Sequence, residues 1–134
     1  MTVPQQPGRF DTSRPMTLLT FRKYVEEVLI PQTYHQWETK RIRFVEEPDH
    51  AFQPDFHVTK SRLDRYGSWT HFVWCAYQHE VTTAELAQIG DYLQEHPQVR
   101  AGTIFTAAGT TVQAGAKDLV DEHGLRLVAT AVPL

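Results

Sequence analysis

The chain is poor in cysteine, has no long apolar run and, in its second half, carries few positive charges. Cys75 is the single cysteine, so an intrachain disulfide is excluded and the usage fits a reducing cytoplasm. No run of about 18 apolar residues occurs, which excludes a membrane-spanning helix. Residues 1–15 also lack an apolar signal-peptide core. With Pro4, Pro7, Gly8 and Pro15 they read as a flexible leader ahead of a single domain over residues 16–134. Residues 66–134 hold 3 Lys or Arg against 7 Asp or Glu, while residues 1–65 hold 10 against 9, for a formal net charge of −3. A protein that lives on DNA usually shows a basic face, because phosphate neutralisation supplies most non-specific affinity. Here only two local clusters remain: Lys40, Arg41, Arg43, and Lys60, Arg62, Arg65. Strong non-specific DNA binding is not expected.

What is present is an ordinary globular balance, 41% hydrophobic and 22% charged, in a chain long enough to bury one core unaided. No internal repeat is found. Residues 17–30 place Leu18, Phe21, Val25, Val28 and Leu29 on one helical stripe, with Pro31 as the expected stop. Residues 34–46 read as a strand with Ile42 and Phe44 on one side and Arg41 and Arg43 on the other. Residues 54–60 alternate strictly: Phe56 and Val58 share one face, Asp55, His57 and Thr59 the opposite one. A turn is expected over 61–68, followed by an apolar, central strand over 69–78. Thr82 and Glu85 have capping-box spacing and open a helix striped by Leu86, Ile89 and Leu93, ended at Pro97. A buried strand over 100–107 follows. A second such spacing, Thr110 to Gln113, opens a helix with Val112, Ala116, Leu119 and Val120 inward, and Gly124 stands where a left-handed cap residue belongs. A last strand covers 125–132. The order is α-β-β-β-α-β-α-β. Short turns make the first three strands an antiparallel meander, the later βαβ unit adds parallel strands, and helices cover both faces of a mixed sheet.

Several segments carry a resemblance beyond this order. Residues 21–29 (FRKYVEEVL), Pro54-Asp55-Phe56, residues 72–77 (FVWCAY), 81–86 (VTTAEL), 101–106 (AGTIFT) and the Ala-rich helix and closing strand over 114–127 occur in sequence. Together they resemble the Mrr-like type IV restriction endonucleases of the PD-(D/E)XK, restriction-endonuclease-like superfamily, over roughly residues 18–134. The resemblance implies an α/β fold with a central mixed sheet, and a role in nucleic-acid metabolism or bacterial-type defence. It places a metal-binding Asp at Asp55 and the (E/Q)-x-K signature on the 72–77 strand.

Phosphodiester cleavage of that kind needs carboxylates to hold a divalent cation that polarises phosphate and activates water. It commonly adds a lysine to steady developing charge. Side chains two apart on a strand project together, which is what the signature's spacing exploits. In this chain the signature positions are filled by Trp74 and Ala76. An indole N–H only donates, and a methyl has no charge. The helix position where the resemblance implies Glu is Arg22, of opposite sign. Asp55 alone remains, so Asp55, Trp74, Ala76 and Arg22 read as a vestigial site with no catalytic residue and no cofactor. The helix from Thr82 to Val99 has no Lys or Arg, which removes a migrated lysine there.

The leading expectation is therefore an inactive nuclease homologue acting as a binding or interaction module, meeting DNA weakly, a protein, or a second copy of itself. Lys40, Arg41, Arg43 and Lys60 are the candidate nucleic-acid contacts, although the first three read first as a charged edge strand that discourages aberrant pairing. The alternative is a Mg²⁺-dependent DNA endonuclease with a site rearranged around Asp55, His57 and Glu80. Asp55 and His57 are the only metal-like pair, and the seven histidines show no zinc spacing. A third reading is a small-ligand or partner protein whose cleft is walled by Trp74, Phe72 and the first helix. Trp74 reads first as packing, and Cys75 as a core thiol pointing away from Trp74.

Overall fold

The computed structural model describes residues 10–38, 40–60 and 69–134. Five strands form the central sheet in the order β1-β2-β3-β5-β7: β1 (Lys40–Phe44), β2 (Phe56–Lys60), β3 (Thr70–Ala76), β5 (Val99–Ala108) and β7 (Arg126–Pro133). β1, β2 and β3 pair antiparallel, while β5 pairs parallel with both β3 and β7. Two crossover helices make those parallel pairings possible, α3 (Thr83–Glu95) between β3 and β5, and α4 (Ala114–Glu122) between β5 and β7. The expected mixed α/β architecture, with a meander followed by parallel strands, is the one observed. β3 is its central strand.

Alternation on β3 divides the interior. Phe72, Trp74 and Ala76 enter a cluster with Leu86, Ile89 and Tyr92 of α3 and Ala116 and Val120 of α4. Val73 and Cys75 enter a second cluster with Phe21, Val25 and Ile30 on the first helical segment. Every β3 residue except His71 is buried, as a strand covered on both faces must be. Each fully buried Phe or Leu in these clusters contributes about 1.5–3 kcal/mol through removal from water.

Local chemistry sets the element ends. Thr82 accepts from the Glu85 N–H at 3.2 Å and its own N–H donates to the Glu85 carboxylate at 2.9 Å, completing the expected capping box. Gly124 ends α4 at φ +66°, a conformation that would strain a residue with a Cβ.

Four expectations are corrected. Pro31 does not stop the first helix. α1 (Leu18–Tyr24) passes through one π-helical turn (Val25–Leu29) into α2 (Ile30–Thr33). The Ile30 N–H reaches back five residues to the Val25 carbonyl, so Pro31 falls in the first turn of a new α segment, where its missing donor costs little. The strand expected over residues 34–46 is only Lys40–Phe44, because Tyr34 caps α2 and a turn follows it. The second capping-box spacing is not used. Thr111–Val112 forms β6, paired with β4 (Glu80–Val81), and Gln113 precedes α4 without a side-chain cap. Its Oε1 instead accepts from the Thr83 N–H at the start of α3, at 2.8 Å. Finally, Asp55 lies just before β2 and is not part of its alternation. The expected turn over 61–68, with Arg62 and Arg65, lies outside the described residues, as does most of the expected leader.

Candidate functional site

Pro54 and Asp55 stand where β2 begins. The Asp55 N–H donates to the Val73 carbonyl at 2.8 Å, and the Val45 N–H donates to the Asp55 carbonyl at 3.1 Å. The backbone is thereby fixed between β1 and β3. Beyond the Phe56–Val73 pair the two strands part, and the Asp55 side chain takes over the ladder: its Oδ2 accepts from the Cys75 N–H at 2.6 Å. Its Oδ1 accepts from the Arg22 Nε–H on α1 at 2.5 Å. The Asp55 side chain is 4% exposed and that of Arg22 34%. Both carboxylate oxygens are thus engaged from within the fold.

Burial pushes the Asp55 carboxyl above its ordinary range, against the opposing pull of the Cys75 N–H and the Arg22 guanidinium. The Cys75 thiol is pushed well up, first by burial and then by the Asp55 carboxylate beside it. A thiol held protonated in this way is not a nucleophile. Cys75 is a core residue.

The four residues expected to share a vestigial site separate into two groups. Arg22 and Asp55 meet. Trp74 and Ala76 belong to the cluster under α3, on the other face from Cys75 and α1. The side chains two apart on the α1 face are Cys75 and Tyr77. Tyr77 packs on Phe21 with ring centroids 5.0 Å apart, accepts from the Met16 N–H at 2.8 Å and donates to the Pro133 carbonyl at 2.9 Å. Trp74 is 9% exposed and meets Phe52 edge-on at 5.6 Å between centroids. The expected ligand cleft between Trp74, Phe72 and the first helix is corrected on the same ground: Phe72 and Trp74 pack beneath α3, across the sheet from that helix.

An open cleft of about 430 Å³ does adjoin the Arg22–Asp55 pair, walled by Phe44, Glu47, Gln53 and Pro54 among others. Glu47, on its lining, belongs also to a second polar group. Arg43 Nη2 lies 3.4 Å from His57 Nδ1, His57 Nε2 lies 2.7 Å from the Tyr92 hydroxyl, and that hydroxyl donates to Glu47 Oε1 at 3.5 Å. One proton arrangement satisfies all three contacts: the guanidinium donates to Nδ1 and a neutral His57 donates from Nε2 to Tyr92. Burial, and then the Arg43 charge, lower the His57 pKa, in keeping with a neutral ring. Burial and then Glu47 raise that of Tyr92. His96 stacks on Tyr92 at 4.0 Å, with its Nε2 3.1 Å from Glu47 Oε2, and His50 pairs with Glu95. Tyr92 was hidden from sequence reasoning because its ring continues the apolar stripe of α3; the polar strand residue His57 facing that stripe was the only signal.

Divalent-metal chemistry does not fit these donors. Asp55 has no second carboxylate bonded beside it, its oxygens are taken, and a permanent cation sits against it. Among the described residues no group of three or more His, Cys, Asp or Glu is arranged to hold a metal ion. The rearranged trio is not gathered either. Asp55 binds Arg22 and Cys75, His57 binds Arg43 and Tyr92, and Glu80 Oε1 accepts from Gln113 Nε2 at 3.1 Å.

No family model matches the chain, and no curated protein matches it. Among solved structures it is similar to a chain of the MspJI restriction endonuclease in complex with a 27-mer oligonucleotide, at 13% identity over 96% of this chain, with a TM-score of 0.47. The present chain covers 32% of the length of that one.

The expected contact residues divide as well. Lys40, Arg41 and Arg43 lie on the edge strand β1, with Arg41 and Arg43 exposed, and Lys40 stands directly opposite Lys60 of β2. Arg43 is committed to His57. Lys40 and Lys60 sit at one end of the sheet, away from the β1–β2 connection that holds Asp55.

Proposed function

We propose that this chain is a nuclease-scaffold protein that binds nucleic acid and does not hydrolyse it. The observation that carries the reading is the Arg22–Asp55 pair. The one acidic side chain at the position where the Mrr-like resemblance implies a metal ligand is neutralised by a guanidinium from the first helix. A fixed cation there repels a second cation and cannot deliver an activated water, so the pair supports the fold and not metal-assisted hydrolysis. The basic side chains at the sheet end, in a chain of net charge −3, supply the local positive potential that a phosphate backbone requires.

The test has two arms. Purified protein is incubated with plasmid and with single-stranded DNA in Mg²⁺ or Mn²⁺; no cleavage is expected. Divalent-dependent cleavage that disappears in Asp55→Asn would overturn the inactive reading. In the second arm, gel shifts across a salt series are expected to show weak binding that fades steeply with salt, since each phosphate contact releases counterions. No shift at low salt would remove nucleic acid as the partner.

A further inference from the structure

At the end of the sheet remote from Asp55, Lys60 and Arg100 meet Trp69, and Lys40, whose ammonium donates to the Trp37 carbonyl at 3.3 Å, stands on the strand position opposite Lys60. Lys40 opens β1, Lys60 closes β2, Trp69 immediately precedes β3, and Arg100 is the second residue of β5. These strands are consecutive in the sheet, and the Lys60 N–H donates to the Trp69 carbonyl at 2.8 Å. Trp69 is 42% exposed, one of four large apolar residues left exposed among the described residues. Two cations stand over it: Lys60 Nζ at 5.5 Å and Arg100 Cζ at 5.7 Å from the ring centroid. Lys40 and Lys60 are direct cross-strand partners, an arrangement of like charges that costs stability until an anion lies between them. No carboxylate of a described residue forms an ion pair with Lys40, Lys60 or Arg100. In a half of the chain with 3 basic residues, one of them is placed here.

We infer that this stripe is a binding platform for single-stranded nucleic acid, with an unpaired base stacked on the Trp69 indole and Lys40, Lys60 and Arg100 meeting the flanking phosphates. It rests on the nucleic-acid reading above and makes it specific. Three strand spacings of about 4.8 Å give the stripe a length of about 14 Å, enough to meet more than one phosphate. The indole face opens to a base as the Lys60 and Arg100 groups over it turn to phosphates, and base faces are available only where bases are unstacked, so the platform discriminates against a duplex. Stacking is tolerant of base identity, so the platform prefers single strands without reading sequence.

The test uses fluorescence anisotropy with a short labelled oligo(dT), an oligo(U) and a hairpin duplex of matched length. The single strands are expected to bind more tightly than the hairpin. Trp69→Ala is expected to weaken single-strand binding about tenfold, with Trp69→Phe retaining most of the affinity. Lys60→Ala and Arg100→Ala are each expected to reduce the salt slope by about 0.7. Protein fluorescence gives an independent readout: oligo(dT) quenches the wild type, and the quench is lost in Trp69→Phe, although Trp37 and Trp74 remain. Because Trp69 is exposed, circular dichroism of its variants is expected to match the wild type. Equal affinity for hairpin and single strand, or unchanged binding by Trp69→Ala, overturns the platform while leaving nucleic-acid binding in place. Absence of binding to all three probes overturns both.

Discussion

The two faces of the sheet solve the same problem in different ways. Each receives side chains from β3, and each holds one histidine–tyrosine hydrogen bond: His57 to Tyr92 beneath α3, and His71 Nδ1 to the Tyr34 hydroxyl, at 3.1 Å, on the α1–α2 face. The interior of the α3–α4 face is built from carbon, with Phe52, Phe72 and Trp74 in edge-on contact, and Arg43, Glu47 and His96 gather around the Tyr92–His57 bond at its edge. The α1 face admits the ionic pair of Asp55 and Arg22 at its margin. The apolar face therefore lives by volume, and the α1 face by charge balance. A substitution that exchanges these currencies identifies which rule governs each side.

Volume gives the largest expected effect. Trp74→Ala removes a buried indole from between Phe52 and the α3 residues, and is expected to cost about 3–5 kcal/mol by equilibrium denaturation. Were Trp74 instead filling an emptied catalytic cleft open to solvent, the loss would be small. A cost under about 1 kcal/mol would therefore contradict the packing described for this face.

That comparison also explains what was legible in the sequence. The Thr82–Glu85 box, Gly124 and the order of the five main strands rest on short-range chemistry, and residues a few positions apart display it. The vestigial site rests on which face of β3 each residue takes. Both faces are buried, so hydrophobicity does not mark them: the signature spacing falls on Trp74 and Ala76, whereas Cys75 and Tyr77 share the face of Asp55 and Arg22. A shift of one residue on a strand exchanges every side chain between faces. The partnership of Arg22 with Asp55 spans 33 positions, and no local pattern encodes it. Pro31 misled for a related reason: a π turn changes the hydrogen-bond register without a sequence marker.

Charge balance on the α1 face gives the next effect. Arg22→Ala leaves the buried Asp55 carboxylate without its cation. Breaking a buried pair costs about 3–5 kcal/mol, but the Arg22 side chain is one-third exposed and solvent screens it, so about 2 kcal/mol is expected. Arg22→Ala in an Asp55→Asn background is expected to cost far less. A double-mutant cycle with no coupling between the two positions would mean that the pair does not hold this margin together.

Tyr92→Phe is expected to be smaller, about 1 kcal/mol. It keeps the stacked ring on His96 and removes one hydroxyl, stranding the His57 Nε2 donor in a buried site. Chemical denaturation and a change in the His57 ring resonances would register it together. Unchanged stability with unchanged His57 shifts would show that the hydrogen bond contributes nothing to the apolar face.

The last effect separates the faces by pH. Burial first, and the Arg126 charge second, lower the His71 pKa from 6.5 to about 4. The folded state therefore prefers the neutral ring. Its contribution is complete above pH 6.5, where the ring is neutral folded or unfolded, and is lost progressively as pH falls from 6.5 towards 4, where the unfolded chain takes up the proton first. His71→Gln keeps a partner for Tyr34 and does not titrate. The stability difference between wild type and variant is expected to be constant above pH 6.5 and to move against the wild type between pH 6.5 and 4. A difference that stays flat across that window would show that His71 titrates normally and that solvent, not the α1–α2 face, sets its charge.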